Sequence, residues 1–288
     1  MKSPGGGPTN GIEPRCRPIG LFDSGIGGLT VVREILRQLP NEHVVYFGDT
    51  ARVPYGGKSA ETVTRFSIEN TQFLVRRGIK LLVVACNTAS ALAMPVLQRR
   101  FEIPMIGVIA PGAEEAVRKT RRRRIGVIGT TGTVGSRAYE AAIAERDAEC
   151  TVEAIACPLF VPLAEEGWVD GDVPRRVAET YLRPLREHGV DTVILGCTHY
   201  PILSSVIGEV LGEGITLIDT AESTVLEVCR QLDSLGLRRT EGGAGTRHFF
   251  LSDIPVHFRE IGGRFLGEPI QDLAWIEQAD IPWYERTP

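Results

Sequence analysis

The sequence predicts an α/β protein of two pseudo-symmetric domains, each a mainly parallel sheet flanked by helices, with the functional groups at the strand ends expected to meet in the inter-domain cleft. Three observations predict this. Apolar runs of strand length alternate with amphipathic helical patterns, as expected of βα units on parallel sheets. The stretch Ile19-Gly-Leu-Phe-Asp-Ser-Gly25 recurs in form as Ile125-Gly-Val-Ile-Gly-Thr-Thr-Gly132, 106 positions later. Two further apolar runs each end in a cysteine, Cys86 after Leu81–Ala85 and Cys197 after Val193–Leu195, 111 positions apart. Each half thus opens with a strand entering a small-residue turn and later supplies a strand ending in Cys, with the boundary near Pro111–Arg124.

Taken in order, strands are expected at Ile19–Phe22, Val44–Phe47, Leu81–Ala85 and Met105–Ile109, then at Ile125–Ile128, Val152–Ala156, Val193–Leu195 and Ile215–Ile218. The helix after the first strand carries Leu29, Val32, Ile35, Leu36 and Leu39 on one face, and Pro40 ends it. A second helix is predicted over Ser59–Arg77, with Val63, Phe66, Phe73 and Leu74 inward and Gly78 as its stop. Beyond Ser223 a helix over Thr224–Leu235 precedes a short strand near His248–Leu251. On that helix Cys229 is assigned to a core face with Leu226, Leu232 and Leu235.

At 288 residues, 43% of them hydrophobic, the chain can form two domains with proper cores. Its net charge of −4 provides no general pull toward nucleic acid or anionic lipid. The longest apolar runs fall far short of the about 20 residues that span a bilayer. Met1–Arg17 is rich in Gly and Pro and lacks an apolar signal core, so it is expected to be a disordered tail. Six cysteines (Cys16, Cys86, Cys150, Cys157, Cys197 and Cys229) without a secretory signal indicate reduced thiols and a cytoplasmic protein. None has C-x-x-C spacing, and Cys150 and Cys157 lack a neighbouring His, so no metal site is expected.

Free cysteine is usually a small core hydrophobe, which accounts for most of the six. Cys86 and Cys197 differ because a strand end places sulfur beside a following helix N-terminus, where the dipole favours thiolate. His199, two residues beyond Cys197, is either a packed turn residue or a group that orients or protonates that sulfur. Asp23 and Ser24 are either helix-capping residues or, if Asp23 lies beside Cys86, groups that hold a proton or bind an ammonium. The glycine-rich turns after Asp23 and around Thr130-Thr131 offer backbone N–H groups to an anion, but neither carries a nucleotide-binding pattern. Arg118–Arg124 is basic, and in an acidic chain it is best read as a solvated loop between the halves. Asp49-Thr50 and Pro54-Tyr55-Gly56-Gly57 form a loop whose Tyr55 and Gly56 could close over a small ligand.

One cysteine beside a histidine suggests acyl transfer. Two cysteines from opposite halves suggest proton transfer, in which a base on one face of a carbon and an acid on the other invert the centre, exchanging roles in the reverse direction.

Five ordered stretches, Ile19–Val32, Phe47–Ser59, Val83–Ala91, Cys157–Trp168 and Leu195–Leu203, resemble the glutamate racemase family, which supplies D-glutamate for peptidoglycan. The resemblance runs from Ile19 to the C-terminus. It implies that Cys86 and Cys197 are the two acid/base residues, assisted by Asp23 and His199 respectively. It implies substrate contacts from Asp23, Ser24, Tyr55, Gly56, Asn87, Thr88, Thr198 and His199, joined by Thr130 and Thr131, with Asp49 near the site. The implied domains are 18–112 with a returning 224–288, and 113–223, after a tail over 1–17. No cofactor and no metal are required; glutamate is the expected small-molecule partner, and the expected assembly is a homodimer without nucleic acid or membrane. Three alternatives stand beside this reading: an aspartate or hydantoin racemase of the same superfamily, a Cys-His amidohydrolase in which Cys86 is dispensable, and a non-catalytic binding protein.

Overall fold

The computed structural model describes residues 12–240, 242–254 and 258–276. Its strands are β1 (Ile19–Asp23), β2 (Val44–Gly48), β3 (Leu81–Val84), β4 (Met105–Gly107), β5 (Arg124–Gly129), β6 (Thr151–Ala156), β7 (Thr192–Gly196), β8 (Thr216–Asp219), β9 (Arg247–Leu251) and β10 (Leu273–Trp275). They form two sheets, ordered β10-β9-β2-β1-β3-β4 and β6-β5-β7-β8. Every strand pair is parallel. The order β2-β1-β3-β4 in one sheet is matched by β6-β5-β7-β8 in the other, so the repeat seen in the residues is a repeat of topology. Strands covered on both faces need continuous apolar side chains, and Leu81-Leu-Val-Val84 is wholly buried for that reason.

The helices are α1 (Leu29–Gln38), α2 (Ala60–Val75), α3 (Asn87–Arg100), α4 (Ile109–Lys119), α5 (Thr131–Ser136), α6 (Ala138–Ala144), α7 (Phe160–Glu165), α8 (Asp172–Glu187), α9 (Ser204–Leu211), α10 (Thr220–Ser234) and α11 (Phe258–Leu266). Helix α1 buries Leu29, Val32 and Ile35 as its periodicity requires, and Leu39 is buried just past its end. Ser59 caps α2 by accepting from the Thr62 N–H at 3.2 Å, and Gly78 follows the helix with φ of +70°. One continuous core joins Ile35 of α1, Val228 of α10, Phe265 of α11 and Leu182 of α8, while Phe47, Phe73 and Leu82 belong to another on the α2 and α3 side. The strand β9 pairs with β2, so the chain returns to the first sheet after completing the second.

Several local expectations are corrected. The apolar run from Met105 divides: β4 stops at Gly107 and Ile109 opens α4, which occupies much of the stretch expected as a boundary loop. Arg118 and Lys119 therefore lie in the last helical turn, where cations suit the dipole, and Arg121–Arg124 are exposed. Helix α10 begins four residues earlier than expected and buries Val225, Val228 and Leu232, whereas Leu226 and Leu235 are exposed and Cys229 is half-buried. The proposed Leu226–Leu235 face fails because nine residues at about 100° each bring the two side chains to opposite sides of the helix.

The tail expected over 1–17 lies outside the described residues as far as 11. Beyond that, Pro14–Cys16 form a 3-10 turn, held because the Lys80 ammonium donates to the Arg15 carbonyl at 2.7 Å. Lys80 is buried against Glu42 at 2.5 Å and also donates to the Leu237 carbonyl, which makes the turn part of a buried ionic staple. Among the described residues no helix is long and apolar enough to cross a membrane.

Candidate active site

Strand β1 ends at Asp23 and β3 ends just before Cys86, and the register Phe22↔Val84 sets these ends side by side. Cys86 is the N-cap of α3, its Sγ accepting from the Ala89 N–H at 3.5 Å. Asp23 is fully buried, with Oδ2 accepting from the Gly25 N–H at 3.0 Å. Tyr46 donates to the Gly25 carbonyl at 2.8 Å and pins the glycine turn. Burial, and then the Asp23 charge, push the Cys86 thiol up to about 12, against the Ala89 N–H and the Ser24 hydroxyl. Burial likewise raises the Asp23 carboxyl, opposed by His199 and by N–H groups of the turn.

The second half repeats the design. Strand β7 runs into Cys197, whose Sγ lies 3.8 Å from His199 Nδ1, while His199 Nε2 is 3.0 Å from Glu165 Oε1. Burial works against the imidazolium, but the Cys197 sulfur and the Glu165 carboxylate more than offset it and carry His199 up to about 10. At neutral pH a protonated ring therefore bridges a sulfur and a carboxylate.

The halves touch at these turns. Thr198 donates to Asp23 Oδ1 at 3.3 Å. A Cβ on Gly27 would collide with Thr198 Oγ1 and lie 2.6 Å from His199 Nδ1, so only glycine allows the first turn to approach the second. Thr88 of α3, Thr130 and Thr133 form a hydroxyl cluster across the cleft at 2.8 to 3.2 Å. Gly132 donates to the Gly56 carbonyl at 2.8 Å, and a Cβ on Gly56 would stand 2.5 Å from Thr130 Cβ.

Cys86 and Cys197 line one cavity together with Ser24, Tyr55, Gly56, Asn87, Thr88, Thr130, Thr198 and His199, walled also by Val53, Pro54 and Val161. Its volume is about 20 Å³, room for about one water molecule. Of the residues singled out from sequence, Asp23 lies behind the lining, bonded to Thr198. Thr131 is exposed and outside the cavity. Asp49 also stands back: its carboxylate accepts from Tyr55, from Ser252 at 3.0 Å and from Arg52 Nε at 2.8 Å. Arg52 further pairs with Glu69 and donates to Asn70 Oδ1 at 3.0 Å, so this buried network anchors the Tyr55 loop.

Sequence reasoning missed Glu165, although it lies within the Cys157–Trp168 stretch, and Tyr139, whose hydroxyl donates to Asn87 Oδ1 at 2.7 Å. Nothing in the spacing of Tyr139 distinguishes it from a core aromatic. Among the described residues no group of three His, Cys, Asp or Glu side chains is arranged to hold a metal ion. The arrangement provides two buried thiols, a cation beside one of them, a carboxyl beside the other, and hydroxyl and amide groups between.

The doubly repeated α/β fold thus places a cysteine at the equivalent strand end of each half, with both sulfurs on one cavity. Residues 19–228 match the Asp/Glu/hydantoin racemase family, and the chain belongs to it. It is 56% identical over 257 residues to a glutamate racemase of Geobacter metallireducens, covering 89% of this chain and 95% of that one. Glutamate racemase from Francisella tularensis, solved in complex with D-glutamate, superposes with a TM-score of 0.86 at 37% identity, covering 91% and 98% of the two chains. The Thermus thermophilus enzyme in complex with β-chloro-D-alanine gives 0.83 at 44% identity, covering 92% and 99%.

Proposed function

We propose that this protein interconverts L- and D-glutamate by passing the Cα proton between Cys86 and Cys197. The observation that carries the reading is that two buried cysteines, one from each sheet and at matching strand ends, line the same cavity. A thiolate on one face removes the Cα proton, the electron pair passes to the substrate carboxylate, and the thiol on the other face returns a proton; the two sulfurs have then exchanged states. Burial keeps Cys86 protonated, while the His199 imidazolium lies against Cys197, so the pair begins asymmetric. Asp23 assists on the Cys86 side and His199 on the Cys197 side. Ser24, the Tyr55–Gly56 loop, Asn87, Thr88, Thr130 and Thr198 hold the substrate, and the hydroxyls of Thr88, Thr130 and Thr198 with the backbone N–H groups of the turns stabilise the charge that develops on its carboxylate. Thr131 takes part only if opening rearranges the α5 turn.

The acid and base are both side chains of the protein, which supports a cofactor-independent reaction. The same reading makes the protein a cytoplasmic homodimer that supplies D-glutamate for peptidoglycan, built from the units 18–112 with 224–288 and 113–223; the return of β9 and β10 to the first sheet supports that division. The named relatives favour glutamate over aspartate or hydantoin, and a Cys-His amidohydrolase leaves Cys86 without a task. The test is polarimetry with each enantiomer of glutamate and aspartate in D2O. Glutamate should racemise with deuterium entering at Cα of the product; preference for aspartate, or racemisation without label, defeats the reading.

A further inference from the structure

The Asn87 side chain lines the cavity beside Cys86, and its Nδ2 is one of few buried polar atoms without a hydrogen-bond partner among the described residues. An amide can present either its NH2 or its oxygen, and what faces the substrate depends on what holds the other end. Here Tyr139 holds it. Its hydroxyl is buried and donates to Asn87 Oδ1 at 2.7 Å, the one acceptor the described residues offer it. Burial pushes the phenol well above its ordinary range, so it keeps its proton and needs an acceptor. The phenol therefore fixes the amide with oxygen toward Tyr139 and NH2 left for the cavity.

Tyr139 stands on α6, in the second half of the chain, whereas Asn87 opens α3 in the first. The same ring packs beneath the other cysteine turn: a Cβ on Gly196, the residue before Cys197, would lie 3.1 Å from Tyr139 Cε2. One side chain thus buttresses the residue after Cys86 and the residue before Cys197.

We infer that Tyr139 is a positioning residue that reaches across from the second half of the chain and locks the Asn87 amide in the carboxylate-binding orientation. This rests on the glutamate reading above and adds to it how the substrate carboxylate meets a donor rather than an acceptor. An amide contact to a carboxylate is made equally to both enantiomers and persists through the reaction, so its loss is a loss of uniform binding.

The test is Tyr139→Phe, which keeps the ring under Gly196 and removes only the hydroxyl. KM should rise for both D- and L-glutamate, by about twofold if the freed amide divides evenly between its two orientations and by about tenfold if it is turned the wrong way nine-tenths of the time, with kcat changed by less than about threefold. A general structural defect would instead lower kcat and the melting temperature with KM unmoved. In an Asn87→Ala background the same change should add nothing to KM, since its effect runs through that amide. Unchanged KM in Tyr139→Phe, or effects that add fully in the double variant, overturns the inference. Wild-type protein that does not racemise glutamate would instead defeat the underlying reading.

Discussion

Replacing Glu165 with glutamine removes the carboxylate that faces His199 while keeping a group of the same shape. His199 is buried and its Nε2 sits 3.0 Å from Glu165 Oε1, so the contact is a charge-assisted hydrogen bond. Such bonds contribute about 1.5–3 kcal/mol, and because the Glu165 side chain is 31% exposed the lower end applies. About 1.4 kcal/mol corresponds to one pH unit, so the His199 midpoint should fall by about one unit from about 10. The sign for stability follows from the raised pKa. Relative to an unfolded histidine near 6.5, the folded imidazolium contributes fully below that pH, and its contribution is lost as pH climbs to about 10. Glu165→Gln should therefore be less stable than wild type by about 1.5 kcal/mol at pH 6 and nearly equal to it above pH 10. NMR titration of the ring protons and urea unfolding at the two pH values measure both quantities. A deficit of the same size at pH 6 and above pH 10, or an unmoved His199 midpoint, would refute the assignment of the imidazolium to Glu165.

Cys86→Ser and Cys197→Ser should each lower racemisation by about 10²- to 10⁴-fold, yet each should still exchange the Cα proton of one enantiomer, and the two variants should exchange opposite ones when followed by loss of Cα deuterium. Gly27→Ala places a methyl against Thr198 and His199; overpacking of that kind costs about 1–3 kcal/mol, and because the strain falls on the contact between the halves, kcat should drop more than the melting temperature predicts. Arg52→Leu strips the buried Asp49 and Glu69 carboxylates of their cation, with an expected loss of about 3–5 kcal/mol in urea unfolding; a loss below 1 kcal/mol would show the network to be solvated in solution.

The paired architecture was legible because it is written in local pattern. Leu81–Val84 and Val193–Leu195 are apolar on both faces, and a parallel strand needs that whatever surrounds it. Cys86 and Cys197 could be singled out because strand ends on parallel sheets are where side chains converge. What escaped was what depends on pairing across the cleft. Tyr139 and Glu165 acquire their partners, Asn87 and His199, only when α6 and α7 are placed against distant turns. Asp49 and Arg52, three residues apart, had a local signal for an ion pair, but the demand that makes the pair matter comes from Glu69, Asn70 and Ser252. Helix α10 was misread for a different reason: leucines at every third position look like a face, yet that spacing drifts around the helix.

The chain passes from the first sheet to the second through α4 and comes back through α10, and these two helices pack directly on each other. Two halves joined by one strand of chain could swivel freely. Here they are joined by a pair of packed helices, like covers on a spine. The cysteine turns stand at equivalent strand ends on either side of that spine, and across it both sulfurs reach one cavity.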